Sequence, residues 1–265
     1  MKLRHRNWIP PVVVGAVIFA IWEASVWLFE IDEFLLPKPS SIVAALRTQW
    51  TGSEATLATA TLREAGLNTG IIAVTGLIAG VIAGALLALF TTRFGRVGQA
   101  ITPFAIAVNA TPIIALAPIF NAWFGITSMQ SNQAVVVAVV FFPVFINTAK
   151  GLTEAHPNQL ELMESLGASP FTTLWRVRIP NALPFFLTSL RIAAPLSVIA
   201  AIVAEYFGGP TNRLGPVITQ NASFARYDAA WAAIVVASVI GLVLFMLAVA
   251  AERLLMPWKR WAEDT

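Results

Sequence analysis

The chain has 265 residues, of which 57% are hydrophobic and only 12% charged, with 17 Lys and Arg against 14 Asp and Glu. Soluble domains carry about 25% charged residues, so this composition excludes a single aqueous core with a polar coat and points to a polytopic membrane protein. No cysteine and two histidines, His5 and His156, exclude a disulfide framework, a thiolate metal site and a His-rich site, and a net charge of +3 without a dense basic run leaves no nucleic-acid face.

A bilayer-spanning helix needs about 20 mostly apolar residues. The first such window is 9–29, after the basic head MKLRHRNW and interrupted only by Glu23. It runs on into WLFEIDEF without a small-residue cleavage site, so an uncleaved first helix is expected. In LLPKPSSIVAALRTQW, Ser40 or Ser41 stands where a helix cap is needed, and Ile42, Leu46 and Trp50 repeat at i+4. That pattern predicts a short amphipathic helix on the membrane surface. The second span, 65–90, carries Gly76, Gly80 and Gly84 at four-residue spacing, a close-approach face for another helix.

No charged residue separates Arg96 from Lys150, which leaves room for spans at 101–126 and 132–149 around the polar turn TSMQSNQ. Pro103, Pro112 and Pro118 break the first of these and free carbonyls that neighbours or a water-lined cavity must satisfy. Residues 150–183 turn polar, and spans at 184–206 and 229–251 follow. The expected architecture is all-α, a single transmembrane domain over 1–265 with six helices and both termini on one side.

Basic residues set the orientation. With the amino terminus inside, Lys2, Arg4, Arg6, Arg93, Arg96, Lys150, Arg176, Arg178, Arg191, Arg253, Lys259 and Arg260 are cytoplasmic, and Lys38, Arg47, Arg63, Arg213 and Arg226 are external. The 150–183 loop is therefore expected on the cytoplasmic side. Within it, Leu160, Met163, Glu164 and Gly167 share one helical face, Gly167 permits a sharp turn, and Ser169 and Pro170 start a second helix as cap and first residue. The expectation is a rigid helix-turn-helix knob, against the plainer reading of an amphipathic loop between two spans.

The same loop reads ELMESLG from Glu161 to Gly167, then nine residues, then Val177-Arg178-Ile179-Pro180. This resembles the permease subunits of bacterial ABC importers, whose signature is Glu-Ala-Ala, three residues, Gly, nine residues, Ile-x-Leu-Pro. Leu162 and Met163 replace the alanines, and Val177 and Ile179 are aliphatic swaps. The likeness extends through LLPKPSSI, NATPIIALAPIFNAWFG, LRIAAPLSVIAAIVAEYFGG and RLLMPW to the nitrate, sulfonate, taurine and pyrimidine-precursor branch. It implies the type I importer transmembrane fold, two copies around one pathway, two cytoplasmic ATPase subunits and an external solute-binding protein. It also implies ATPase coupling through Glu161, Glu164, Gly167, Ala168, Ser169, Pro170 and Pro180. The Gly-rich faces are a plausible surface for self-association. The implied solutes are heteroaromatic vitamin precursors such as a pyrimidine or flavin, or else sulfonate, taurine or nitrate.

The chain has no G-x-x-x-x-G-K-[ST] loop, no H-E-x-x-H helix and no G-x-S-x-G elbow. It therefore offers no catalytic residue, metal site or cofactor of its own, and ATP with Mg belongs on a partner subunit. Rival readings are a secondary transporter driven by an ion gradient, which calls for midplane ionisable groups and inverted repeats, and an intramembrane enzyme assembled from distant residues. Three ionisable residues fall inside spans. Glu23 either snorkels or bonds a neighbouring helix, or is functional; Arg191 is read as snorkelling to the headgroups; Glu205 lines a gate, contacts the binding protein or is an interfacial acid. Asn109, Thr111, Asn121 and Ser197 are candidate pathway groups beside Glu205, against helix-to-helix hydrogen bonding. Trp22, Trp27, Trp123, Trp231 and Trp258 fit an aromatic belt.

Overall fold

The computed structural model describes residues 9–52, 61–93 and 113–256. In chain order they form α1 (Ile9–Leu28), α2 (Pro39–Thr51), α3 (Leu62–Arg93), a 3-10 turn (Ile113–Leu116) leading into α4 (Ala117–Phe124), α5 (Met129–Thr153), α6 (Pro157–Ser165) and α7 (Pro170–Thr173). A π-turn (Leu174–Arg178) then runs straight into α8 (Ile179–Phe207), followed by α9 (Leu214–Ser223) and α10 (Tyr227–Leu255). No strand occurs among the described residues.

Five helical segments are long and apolar enough to cross a membrane: Pro10–Leu28, Leu62–Thr92, Met129–Thr153, Pro170–Phe207 and Tyr227–Leu255. They contain or nearly match five of the expected spans, most of them overrunning the apolar windows at both ends. The sixth, 101–126, is not seen as one helix. Its residues up to 112, including Asn109 and Thr111, lie outside the described residues. The remainder is the 3-10 turn and α4, where Pro118 sits in the first turn, a position that needs no N–H and tolerates proline.

The glycine face is used inside the chain, which corrects its expected role in self-association. A Cβ on Gly76 would lie 2.6 Å from Val136, one on Gly80 2.9 Å from Val140, and one on Gly84 2.8 Å from the Phe141 carbonyl. Contacts that advance together along both helices make α3 and α5 parallel. Their shared core also takes in α8: Ile72 and Ala73 pack with Val136, Val140, Val144, Ala193, Val198 and Ala201.

At one end of this bundle sit α6 and α7. At the opposite end α2 and α9 lie in a second core with the first turns of α3 and α10, built from Ile42, Ala45, Leu62, Ala65, Leu214, Val217, Ala230 and Ala233. Ile42 thus faces protein, whereas Trp50 at the other end of its stripe remains 45% exposed. Neither Ser40 nor Ser41 caps α2. The flanking residue is Lys38, which supplies no side-chain cap, and the capping acceptor comes from Glu23 on α1. The Ser40 N–H donates to Glu23 Oε2 at 3.1 Å and the Ser40 hydroxyl to Oε1 at 2.7 Å. A carboxylate at a helix N-terminus satisfies orphan N–H groups and complements the helix dipole. Of the readings open for Glu23, the structure selects the bond to a neighbouring helix.

Arg191 departs from its expected snorkelling. Its Nε lies 2.5 Å from Glu252 Oε2, so α8 and α10 are joined by an ion pair whose acid is almost fully buried.

Candidate functional site

The polar loop folds as the expected helix-turn-helix knob, and its local causes can be read residue by residue. His156 caps α6, its Nδ1 accepting from the Asn158 N–H at 3.3 Å, with Pro157 in the first turn. The helix ends in paired closing bonds: Gly167 N–H donates to the Glu164 carbonyl and Ala168 N–H to the Met163 carbonyl, each at 2.9 Å. This Schellman arrangement needs a left-handed residue after the helix, and Gly167 has φ +63°. Ser169 then caps α7, its hydroxyl accepting from the Thr172 N–H at 3.2 Å, with Pro170 next.

None of the residues of α6, α7 and the π-turn is buried. Glu161, Glu164, Ser169, Pro170 and Pro180 are exposed and Ala168 half-buried. Around them Leu162, Leu166, Phe171 and Trp175 are 57–70% exposed. A cleft of about 310 Å³ lies between the knob and the end of α3, lined by Thr92, Leu160, Glu164, Ala168, Pro170 and Arg178. The knob is therefore a small rigid projection with acidic and aromatic groups on its surface.

Its base is braced by residues that the sequence pattern did not single out. Arg178 Nη1 donates to the Leu152 carbonyl at 3.0 Å, and Asn181 Nδ2 to the Gly151 carbonyl at 2.8 Å. Both acceptors are last-turn carbonyls of α5, which have no partner within their own helix. Gly151 lets α8 come this close, since a Cβ there would lie 2.7 Å from Ala182 Cα and 2.8 Å from the Phe185 ring. The base of the knob is thus fixed to α5 and α8 together. Replacing Gly151 with leucine is expected to push α8 off α5, break both carbonyl bonds and lower the unfolding temperature of the purified chain. Overpacking of this kind costs about 1–3 kcal/mol, and an unchanged melting curve would show that the brace carries no stability.

At the opposite end the candidate pathway residues are engaged internally. Asn121 is buried, donates from Nδ2 to the Phe207 carbonyl at 3.1 Å and accepts at Oδ1 from the Ser131 hydroxyl at 2.5 Å. Ser197 is fully buried and donates to the Ala194 carbonyl at 2.7 Å. Glu205, 2% exposed, accepts from the Thr69 hydroxyl at 3.0 and 3.1 Å and from the Gly215 N–H at 2.9 Å. The Thr69 oxygen in turn accepts from the Leu214 N–H at 3.0 Å. Helix α9 is therefore capped by groups from α3 and α8, as α2 is capped by α1. Arg213, which precedes it, is buried beside this carboxylate. Burial lowers its pKa and the Glu205 charge opposes that shift. The structure brings Glu205, Thr69 and Arg213 together but places Asn121 in a separate tie and Ser197 within its own helix. Among the described residues no cluster of three His, Asp or Glu side chains is placed to hold a metal ion.

Comparison with known proteins bears on the knob and the bundle together. Residues 76–260 match the family described as binding-protein-dependent transport system inner membrane component. The chain is 34% identical over 257 residues to the formylaminopyrimidine transport permease protein of Halalkalibacterium halodurans, covering 94% of this chain and 96% of the relative. It is 27% identical to the riboflavin transport system permease protein of Chloroflexus aurantiacus, covering 92% and 87%. It is 26% identical to a putative aliphatic sulfonates transport permease protein of Bacillus subtilis, covering 97% and 90%. With five apolar spans, a projecting knob and a family match over most of its length, the chain belongs to the inner-membrane permease components of binding-protein-dependent ABC importers.

Proposed function

We propose that this permease works as a pair of identical subunits, with two ATPase subunits on the knob side and a solute-binding protein at the α2/α9 end. The knob side is cytoplasmic in this reading, with both termini inside, in accord with the excess of basic residues there. The single observation that carries the reading is the exposed yet rigid knob. Glu161, Glu164, Gly167, Ala168, Ser169, Pro170 and Pro180 shape a projection with no core of its own, fixed at its base to α5 and α8. Closure of the ATPase pair around ATP and Mg moves that projection, and α8 carries the motion through the bundle to the α2/α9 end. Catalysis of hydrolysis stays on the partner.

The solute class that fits best is a small heteroaromatic vitamin precursor, a pyrimidine or flavin, supported by the two permease relatives named for formylaminopyrimidine and riboflavin; sulfonates, taurine or nitrate are the second class. Asn109, Thr111, Asn121, Ser197 and Glu205 enter as pathway candidates of different weight. Asn121, Ser197 and Glu205 act by positioning α4, α8 and α9 at the entry, because their polar atoms are already bonded. An ion-gradient mechanism is less well supported, since four ionisable groups set well inside the spans or buried there, Glu23, Arg191, Glu205 and Glu252, are each held by a protein partner.

The test is recovery of the tagged chain from its host in mild detergent. An ATPase subunit is expected at one copy per permease, and recovery of the chain alone would overturn the reading. Gly167→Val should insert normally but lose most of the bound ATPase. The space around Gly167 is open, so the effect comes from forcing a β-branched residue to positive φ, and Gly167→Asn, which tolerates that conformation, should retain it. Equal recovery with both variants would remove the docking role of the turn.

A further inference from the structure

We propose that the groove between α2, α3 and α10 is a phospholipid site, with the phosphate at Arg63 and one acyl chain lying along α3. The groove has a volume of about 710 Å³ and is walled by Leu46, Trp50, Leu67, Ile71, Val235 and Val239. Gly66 and Gly70 line it on α3: Gly66 lets Val236 of α10 approach, its Cβ position lying 3.0 Å from that side chain, and the missing side chain of Gly70 leaves room for a ligand. Its polar lining residues are Arg63 at one end and Thr75 at the other. The Thr75 hydroxyl is already committed, donating to the Ile71 carbonyl at 2.6 Å and accepting from Gln133 Nε2 at 2.7 Å. A polar solute would therefore find nothing to bond along the walls, whereas a hydrocarbon chain loses nothing there.

The dimensions agree with a lipid. Arg63 and Thr75 are twelve residues apart on one helix, so the groove is about 18 Å long at 1.5 Å per residue, close to one leaflet of a hydrocarbon core about 30 Å thick. From Gly70 to Phe90 helix α3 has no charged residue, and the Leu67 and Ile71 face continues through exposed Ile78, Ile82, Leu86 and Phe90. Arg63 stands about 10 Å above Gly70, at headgroup depth, exposed and with no ion pair among the described residues. Trp50 beside it is the residue type that settles at this level. A guanidinium over an apolar groove matches an anionic phosphodiester joined to an acyl chain. Helix α1 is the competing apolar occupant, but it is tied to its own chain by the Glu23–Ser40 bonds and by Trp22 against Trp231 at 5.6 Å.

The inference needs only a membrane-spanning chain, so it stands or falls independently of the ATPase partner. The full chain is placed in nanodiscs of equal parts phosphatidylglycerol and phosphatidylcholine, extracted, and weighed by native mass spectrometry. One phosphatidylglycerol is expected to stay on each chain. Arg63→Gln should weaken its retention roughly fivefold, the factor that one basic residue contributes at an anionic membrane surface. Gly70→Leu should abolish retention by filling the groove, since its Cβ meets Ile240 only at 4.0 Å and the fold accommodates it. Wild type that retains no lipid, or variants that retain as much as wild type, would overturn the proposal. So would a photoreactive group on Ile71→Cys that joins two copies of the chain, and with no native cysteine that labelling is specific.

Discussion

Replacing Gly84 with leucine is expected to abolish the folded bundle, leaving protein that inserts but elutes as aggregate after detergent extraction. In a membrane there is little hydrophobic drive between helices, so association rests on close packing of small residues. Along α3 that packing is at its limit. A Cβ on Gly84 would lie 2.8 Å from the Phe141 carbonyl oxygen and 3.1 Å from the Phe145 nitrogen, both backbone atoms of α5 that no rotamer change can move aside. Gly76 faces a side chain instead, Val136 at 2.6 Å, so leucine there forces the valine and then the helix. Relief at either position requires α3 to slide off α5, and α3 and α5 are two walls of the central core that α8 completes. Gly15→Leu on α1 is the matched control, since nothing lies within 4 Å of its Cβ position, and it should elute and melt as wild type. Gly84→Leu and Gly15→Leu behaving alike would mean that α3 does not pack on α5 as described.

The same glycines show how far the sequence reading reaches. Their four-residue spacing reveals a close-approach face because helical periodicity is local, but spacing carries no information about which helix approaches, so a face that serves α5 reads equally well as a surface for a second copy. The knob was legible for the same local reason. Ser169, Pro170 and Gly167 act within a few residues of themselves, through a cap, a fixed φ and a positive φ. The spans were legible from apolar length alone, apart from the third. What stayed hidden are bonds between residues far apart in the chain. Glu23 caps a helix starting sixteen residues later, and Arg191 finds its acid on α10. Arg178 and Asn181 hold carbonyls of α5, and Glu205 reaches back to Thr69. Glu23, Arg191 and Glu205 looked from the sequence like isolated ionisable residues in apolar spans, for which snorkelling, gating and interfacial roles come to mind first, while Arg178 and Asn181 stood in a polar loop with nothing to point to the end of α5. Burial decides among them, because a polar atom removed from water must find a partner somewhere.

Glu205 gives the largest single-residue effect of this kind, and Glu205→Ala is expected to destabilise the chain by about 2–6 kcal/mol, the cost of leaving two buried donors without their acceptor. The carboxylate serves two donors on two other helices, the Thr69 hydroxyl of α3 and the Gly215 N–H of α9. Truncation leaves both donors without this acceptor inside the bundle, at about 1–3 kcal/mol each, and takes a hydrogen-bond acceptor from the N-terminus of α9. Glu205→Gln should cost less, since its carbonyl oxygen still serves one donor while its amide faces the other. Gly215→Ala should approach the alanine variant from the other side, because its Cβ would lie 2.5 Å from Glu205 Cβ and 2.9 Å from the Ile202 carbonyl. Thermal unfolding in detergent orders the three. Hydrogen exchange separates this network from general loosening, since the Leu214 and Gly215 amides should lose protection first while those of the α3, α5 and α8 core keep theirs. A double-mutant cycle adds the decisive arm. Thr69→Ala and Glu205→Ala both remove the Thr69–Glu205 bond and should combine for less than the sum of their separate costs. Strict additivity would mean that the two side chains act independently, and that something other than this network holds α9 across the end of the bundle.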